Sequence, residues 1–160
     1  KVESSKSKSI EEIVIHKDGD VYTDDITTFK NIAKELNLKI AIVSIKKSKG
    51  FRIYRTLGNS IEAPGTGDYI LLDNRRALIV TMGYGFIRQG TPIPILIELT
   101  YVDNDFKYTI EDAITDIYKL SYIHWQVLTS KVKLPATIGY ADEWAYLGTK
   151  EIAITDMPPL

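Results

Sequence analysis

The sequence predicts an α/β domain in which a mixed β-sheet is flanked by helices. A strand, a helix and a second strand follow one another within residues 12–45, which is the pattern of a right-handed parallel crossover. The middle of the chain then holds short β-branched segments separated by Gly, Pro and Asn, which is typical of further strands. The 160 residues are enough for one domain, and 44% hydrophobic with 26% charged residues is typical of a globular chain.

The predicted crossover begins with residues 12–16, whose three central residues are β-branched, and the turn-forming residues 18–20 end this strand. Asp24 and Asp25 can cap a helix, because the apolar residues that follow them share one helical face. Residues 38–45 are apolar on both faces, so we expect them to form a central strand.

Further strands are predicted in the middle of the chain at residues 51–55, 69–72, 77–81 and 93–102. Breaks rich in Gly, Pro, Asp and Asn separate them. Pro92 and Pro94 predict that the last strand begins at an edge of the sheet, because proline has no N–H to donate to a neighbouring strand.

Two helices are predicted near the end of the chain. Thr109 and Asp112 form a capping-box pattern with Asp in place of the usual Glu, and apolar residues continue at helical spacing as far as Leu128. A final helix is expected from about residue 136 to 147. Residues 1–9 are polar and predict a linker or the remnant of an upstream domain, ahead of the folded part, residues 10–160. Since the chain also lacks an initiator Met, we expect it to be a fragment of a longer protein or a processed product.

The composition excludes several kinds of site. Without cysteine there is no disulfide framework, zinc finger or thiol nucleophile. The only histidines, His16 and His124, exclude a site of three histidines, and each is expected to pack in the structure rather than to catalyse. A metal site would have to be built mainly from carboxylates, which suits hard ions such as Mg²⁺ or Mn²⁺. No apolar run approaches the ~20 residues that a membrane helix needs.

The near-neutral total charge conceals an asymmetry along the chain. Residues 1–80 hold 14 Lys and Arg against 11 Asp and Glu (+3), whereas residues 81–160 hold 6 against 10 (−4). Five basic residues fall within ten positions that contain no acid: Lys46, Lys47, Lys49, Arg52 and Arg55. Such a cluster is either a solvated strand edge or a stripe that binds phosphates.

Two acidic residues and two lysines are candidate site residues. Asp18 is expected just past a parallel strand, where α/β sheets bind ligands, although it can also be an ordinary turn residue. Asp142 is expected near the start of the last helix, where the helix dipole stabilises a carboxylate. Together they can hold a divalent ion, but a two-metal site needs further carboxylates. Lys131 and Lys133 precede a helix N-terminus, which fits an anion site or an exposed loop.

Six segments, in the same order along the chain, resemble the C-terminal half of the PIWI domain of Argonaute proteins, which has an RNase H-like fold. They are residues 13–19 (IVIHKDG), 42–47 (IVSIKK), 64–68 (PGTGD), 89–92 (QGTP), 120–122 (LSY) and 134–142 (LPATIGYAD). Lys17 replaces the Arg usual in the first motif, and the third motif lacks a Val and is one residue shorter. The resemblance covers nearly the whole chain and implies an RNase H-like mixed sheet flanked by helices, as part of a PIWI domain.

The resemblance also implies a slicing site with Mg²⁺ or Mn²⁺ as cofactor. Asp18 and Asp142 correspond to the third and fourth of its four metal-binding side chains. The first Asp and a Glu on a mobile finger belong to the upstream half of the domain, so this chain alone should not cleave. In some prokaryotic relatives the terminal carboxylate helps to bind a metal at the guide's 5′ phosphate, which makes the Leu160 carboxylate a further candidate ligand.

The partners implied are a short guide nucleic acid, a complementary target strand, and the remainder of the Argonaute with its upstream PIWI half and MID domain. No membrane partner is implied, and the expected compartment is the cytoplasm. The residues assigned to the nucleic acids by resemblance are Lys46, Lys47, Lys49 and Arg52 in the channel, Arg88, Gln89 and Thr91 along the guide backbone, and Lys131 and Lys133 near its 5′ end. Gly139 replaces a Tyr common in eukaryotic relatives, so no contact is assigned there.

The sequence leaves three functions open. The intact protein is a guided endonuclease, a guided protein that captures targets without cutting and acts through a partner, or a structural domain with no nucleic-acid role. An Asp and a finger Glu upstream would favour the nuclease, and their replacement would favour the binding protein.

Overall fold

The computed structural model describes residues 10–47, 50–83, 91–123 and 134–149, and these form a five-stranded mixed sheet with helices on both faces. The strands are β1 (Glu12–Asp18), β2 (Lys39–Lys47), β3 (Arg55–Leu57), β4 (Ser60–Glu62), β5 (Tyr69–Leu71), β6 (Arg76–Ile79) and β7 (Ile95–Val102). The helices are α1 (Thr23–Glu35), α2 (Ile110–Ile123) and α3 (Ala136–Thr149). The sheet order is β1-β2-β7-β6-β5, and β3 and β4 form a separate hairpin.

The predicted crossover is confirmed, because β1 and β2 pair in parallel with α1 between them. Asp18, the last residue of β1, lies opposite Ile45. The Asp25 carboxylate accepts a hydrogen bond of 2.9 Å from the backbone N–H of Tyr22 and so caps α1 from inside its first turn. Parallel pairing brings the C-terminal ends of β1 and β2 to the same edge of the sheet.

Two predictions about the middle of the chain are wrong. Residues 51–54 are not a strand; β3 begins at Arg55 and pairs with β4 in a hairpin whose turn contains Gly58, with φ of 58°. β7 is not an edge strand, since it lies between β2 and β6. Pro92 and Pro94 precede Ile95, the first paired residue, and therefore remove no hydrogen bond from the ladder.

Apolar residues on both faces of the sheet form the core. In β2, Val43 and Ile45 pack with α2 and the start of α3, whereas Ile40 and Ile42 pack on the α1 side. This alternation is the period-two pattern of a strand that is buried on both faces, as predicted for a central strand. The two faces are called the α2/α3 face and the α1 face below.

The capping box predicted for α2 is confirmed. The Thr109 N–H donates to the Asp112 carboxylate over 2.9 Å, and the Asp112 N–H donates to the Thr109 hydroxyl over 3.3 Å. The apolar residues that follow are buried against the sheet: Ile110, Ala113, Ile114 and Ile117. Within the described ranges, no helix has both the length and the apolar character required to cross a membrane.

Candidate carboxylate site and basic residues

The backbone that follows Asp18 is fixed by a glycine turn. Gly19 has φ of 76°, its N–H donates to the Ile45 carbonyl over 3.0 Å, and its carbonyl accepts the Ser44 hydroxyl over 2.6 Å. Glycine adopts this left-handed conformation without the steric cost that other residues incur. The Asp-Gly pair therefore ends β1 sharply and leaves the Asp18 side chain exposed at the sheet edge.

Asp18 lies on the α2/α3 face of the sheet. Val14 packs against the core of that face, and His16 Nδ1 lies 2.9 Å from the Thr137 hydroxyl at the start of α3. Ile15, between them, packs on the α1 side. Because side chains alternate along a strand, Asp18 follows Val14 and His16 onto the α2/α3 face.

Asp142 reaches the same part of the molecule from α3. The N–H groups of Ile138 and Gly139 both donate to the Pro135 carbonyl over 2.9 Å, which forms the first turn of the helix. Ile138 is buried in the core, and Asp142, four residues later, lies on the same side of the helix. One Asp142 oxygen is 3.3 Å from Lys47 Nζ at the end of β2.

Two polar contacts bracket the position of Asp18. His16, which joins α3 through Thr137, is paired with Val43, and Asp18 is paired with Ile45. Lys47, which contacts Asp142, lies two residues beyond Ile45. Therefore α3 passes over the end of β1 and β2 on the face that carries Asp18, and Asp18 and Asp142 lie at one end of one face.

The carboxylates of Asp18 and Asp142 suit a hard cation, but two side chains are too few to complete its coordination. Carboxylate oxygens are the ligands that Mg²⁺ and Mn²⁺ prefer. In the part of the chain that the structure describes, no three His, Cys, Asp or Glu side chains are grouped closely enough to hold a metal ion. Asp18 and Asp142 can therefore supply only some of the ligands of such a site.

The adjacent lysines of β2 have different surroundings. Lys47 contacts Asp142 on the α2/α3 face. Lys46 lies on the opposite face, where it forms an ion pair with Asp20 and a second, of 3.5 Å, with Glu98. The hydrogen bond between Lys46 and Asp20 raises the pKa of the lysine and lowers the pKa of the carboxyl group. The basic cluster of the sequence is therefore divided between two faces.

The other predicted contact residues are only partly described. Arg52 is exposed and donates to the Phe51 carbonyl over 2.7 Å, and Thr91 is half-buried just before Pro92. Arg55 pairs with Asp68. Lys49, Arg88, Gln89, Lys131, Lys133, Leu160 and His124 lie outside the described residues, as do residues 1–9.

His16 occupies a more specific environment than the packed position that the sequence predicts. Burial lowers the pKa of its imidazole, and the nearby Asp116 carboxylate opposes this shift. Nε2 is buried and has no hydrogen-bond partner among the described residues. Sequence reasoning did not find Thr137 as its partner, because the two residues are 121 positions apart and a lone threonine in a helix gives no signal.

Comparison with known proteins identifies clear relatives. A family model of the Piwi domain matches residues 2–153. The protein argonaute of Aquifex aeolicus (strain VF5) is 25% identical over 131 residues, which are 82% of this chain and 17% of that protein. The structure of Clostridium butyricum Argonaute bound to a guide DNA and a 19-mer target DNA is 31% identical, with a TM-score of 0.70 over 85% of this chain and 17% of that one.

A further structure, Aa-Ago with externally bound siRNA, has a TM-score of 0.70 at 24% identity and covers 92% of this chain and 19% of that one. At this identity the likeness shows the fold alone. The similar regions belong to Argonaute PIWI domains, so the RNase H-like fold expected from the resemblance is confirmed. The chain spans less than a fifth of the length of these relatives.

Proposed function

This chain belongs to the Piwi domain family, and from that membership we propose that the intact protein is a nucleic-acid-guided endonuclease. It would hold a short guide strand, pair it with a complementary target and hydrolyse one phosphodiester of that target. The relative from Clostridium butyricum binds a guide DNA and a target DNA, which supports this proposal. The guide would supply the sequence specificity through base pairing, and the protein would act in the cytoplasm.

The observation that carries the proposal is the convergence of Asp18 and Asp142. The Gly19 turn holds one carboxylate at the end of β1, and α3 brings the other over the same end of the sheet. Phosphoryl-transfer sites with two metal ions require several carboxylates around ions that are ~3.5–4 Å apart. Asp18 and Asp142 would supply two of them, and an Asp and a Glu from the upstream half of the domain would supply the others.

Asp18 and Asp142 would hold Mg²⁺ or Mn²⁺, which would supply activation of a water and stabilisation of the charge that develops at the phosphate. The chain's own residues would hold and orient the reacting groups. Lys47, beside Asp142, would contact a phosphate of the guide or target strand, and such contacts position a nucleic acid without reading its sequence. Arg52 and Thr91 remain proposed contacts, and the assignments of Lys46, Lys49, Arg88, Gln89, Lys131 and Lys133 remain predictions.

A second candidate is a protein that captures guided targets without cutting them and acts through a partner. The described residues contain no group of three metal-binding side chains and fit both candidates, because the other ligands of a nuclease would lie in the upstream half of the domain. The upstream sequence separates the two candidates, since cleavage requires an Asp and a Glu there and capture does not.

The experiment is guided cleavage by the intact protein with Asp18→Asn or Asp142→Asn. We expect cleavage to fall by at least about 100-fold in either variant while guide loading is unchanged, because each substitution removes a charged metal ligand. Asp105→Asn is the matched control, since Asp105 is exposed after β7, at the opposite end of the sheet from Asp18. Full cleavage by either variant would contradict the metal role, and guided binding without cleavage by the unmodified protein would favour the second candidate.

A further inference from the structure

The hydrogen bond between His16 and Thr137 joins the two elements that carry the candidate metal ligands. His16 precedes Asp18 by two residues on the same face of β1, and Thr137 precedes Asp142 by five residues in α3. These separations correspond to about 6.6 Å along a strand and about 7.5 Å along a helix. Along the axis of each element, the bond therefore lies within about 8 Å of the residue that carries the carboxylate.

Apolar contacts at the start of α3 and just before it are less directional than this hydrogen bond. Leu134, Ala136 and Ile138 bury apolar surface, and apolar contacts are not directional. The contact between Lys47 and Asp142 is directional, but both side chains are about half exposed, at 49% and 42%. It also uses the carboxylate that would bind the ion, so an ion at Asp142 would compete with Lys47 for that group.

The burial of His16 shows that packing alone does not account for this residue. Its Nε2 is enclosed without a hydrogen-bond partner among the described residues, which lowers stability relative to an apolar ring of similar shape. Unlike an apolar ring, the imidazole forms a hydrogen bond of 2.9 Å between its Nδ1 and the Thr137 hydroxyl.

We propose that His16 is a positioning residue, whose bond to Thr137 fixes the first turn of α3 on β1 and so sets the separation of Asp18 and Asp142. The inference rests on the proposed function, in which the two carboxylates hold divalent ions. His16 itself contacts neither the ion nor the substrate; it acts through the placement of the helix.

The test is a titration of the intact protein with Mn²⁺ alone, in which electron paramagnetic resonance measures free Mn²⁺. Binding at the candidate site is the part of the bound Mn²⁺ that is present in the unmodified protein and lost in Asp18→Asn. Thr137→Val keeps the shape of the side chain and removes the hydroxyl, and the exposure of Thr137 means that valine does not disturb the core. We expect Thr137→Val to weaken this binding by about tenfold or more, and Thr137→Ser to restore most of it.

A double-mutant cycle separates positioning from general stability. His16→Phe should weaken the same Mn²⁺ binding as much as Thr137→Val, and the double variant should show no further loss, because both changes remove one bond. Guide loading should be unchanged in all variants. Equal Mn²⁺ affinity of Thr137→Val and the unmodified protein, or additive losses in the double variant, would overturn the positioning role alone. The absence of any Asp18-dependent Mn²⁺ binding in the unmodified protein would overturn the proposed function, and the positioning role with it.

Discussion

Gly19 determines how the Asp18 carboxylate is presented at the edge of the sheet. Its φ of 76° lies in the left-handed region, and a Cβ added there would meet no atom within 4 Å. The requirement for glycine is therefore a matter of backbone conformation and not of space. Gly50 is a useful comparison, because a Cβ there also meets nothing within 4 Å and its φ is outside the left-handed region.

Gly19→Ala should lower the free energy of unfolding by about 1–2 kcal/mol, because a Cβ is strained in the left-handed conformation. Gly50→Ala should leave it unchanged or raise it slightly, since alanine restricts the unfolded chain. Thermal unfolding of the intact variants measures the difference as a lower Tm for Gly19→Ala only. Equal melting temperatures would mean that the turn relaxes to accept a side chain.

Residues 64–68, which resemble the third family motif, form hydrogen bonds that hold the β3–β4 hairpin in place. The Asp68 carboxylate accepts hydrogen bonds from the Arg55 guanidinium and, over 2.8 Å, from the Gly65 N–H. The Asp68 carbonyl also accepts the Val80 N–H over 2.8 Å. These contacts tie the β3–β4 hairpin to the chain beside β6, and the Arg55 guanidinium is therefore engaged within the protein.

Asp68→Asn should destabilise the protein at pH 7 by about 1–2 kcal/mol, because it replaces a charge-assisted pair with a neutral contact. The bond to Arg55 holds the pKa of Asp68 below its usual range, with burial opposing the shift. The carboxylate's contribution is therefore present above the unfolded-state pKa of about 3.9 and is lost as pH falls through the lower folded-state value.

Urea denaturation at pH 7 and at successively lower pH values measures this contribution. The difference between the unmodified protein and Asp68→Asn should shrink as the pH falls below about 4. Asp105→Asn should track the unmodified protein throughout. A difference that is constant with pH would show that the charge of Asp68 contributes nothing.

The elements predicted correctly from the sequence are those in which apolar residues recur at regular spacing over many positions and a capping residue marks the start. In α2, the contacts between Thr109 and Asp112 lie within one turn, so the sequence contains the whole signal. The β3–β4 hairpin has no such pattern: all six of its residues are exposed, and the apolar Leu57 and Ile61 face no buried surface. A strand without a buried face does not alternate, and the prediction fell instead on residues 51–55, which overlap the hairpin only at Arg55.

At the scale of the whole molecule, the candidate site depends on contacts that the sequence does not reveal locally. Residue type and predicted position allow Asp18 and Asp142 to share an ion, and the family resemblance is what favours that pairing over an ordinary turn acid and an ordinary helix acid. Their placement depends on α3 returning to β1 after most of the chain has intervened. The division of Lys46 and Lys47 between two faces, in contrast, follows from strand alternation once β2 is recognised.

This division of charge predicts different roles for the two lysines in binding guide and target. The ammonium group of Lys46 is neutralised by Asp20 and Glu98, whereas Lys47 contacts only Asp142 among the described ion pairs. Each lost phosphate contact should reduce the slope of log Kobs against log salt concentration by about 0.7–0.9. Lys47→Gln should therefore lower the slope for guided target binding by the intact protein, and Lys46→Gln should lower it less, because Asp20 and Glu98 compete with a phosphate for the Lys46 ammonium group. Equal reductions in both variants would show that the ion pairs of Lys46 do not weaken its phosphate contact, and an unchanged slope in both would remove this end of β2 from the nucleic-acid channel.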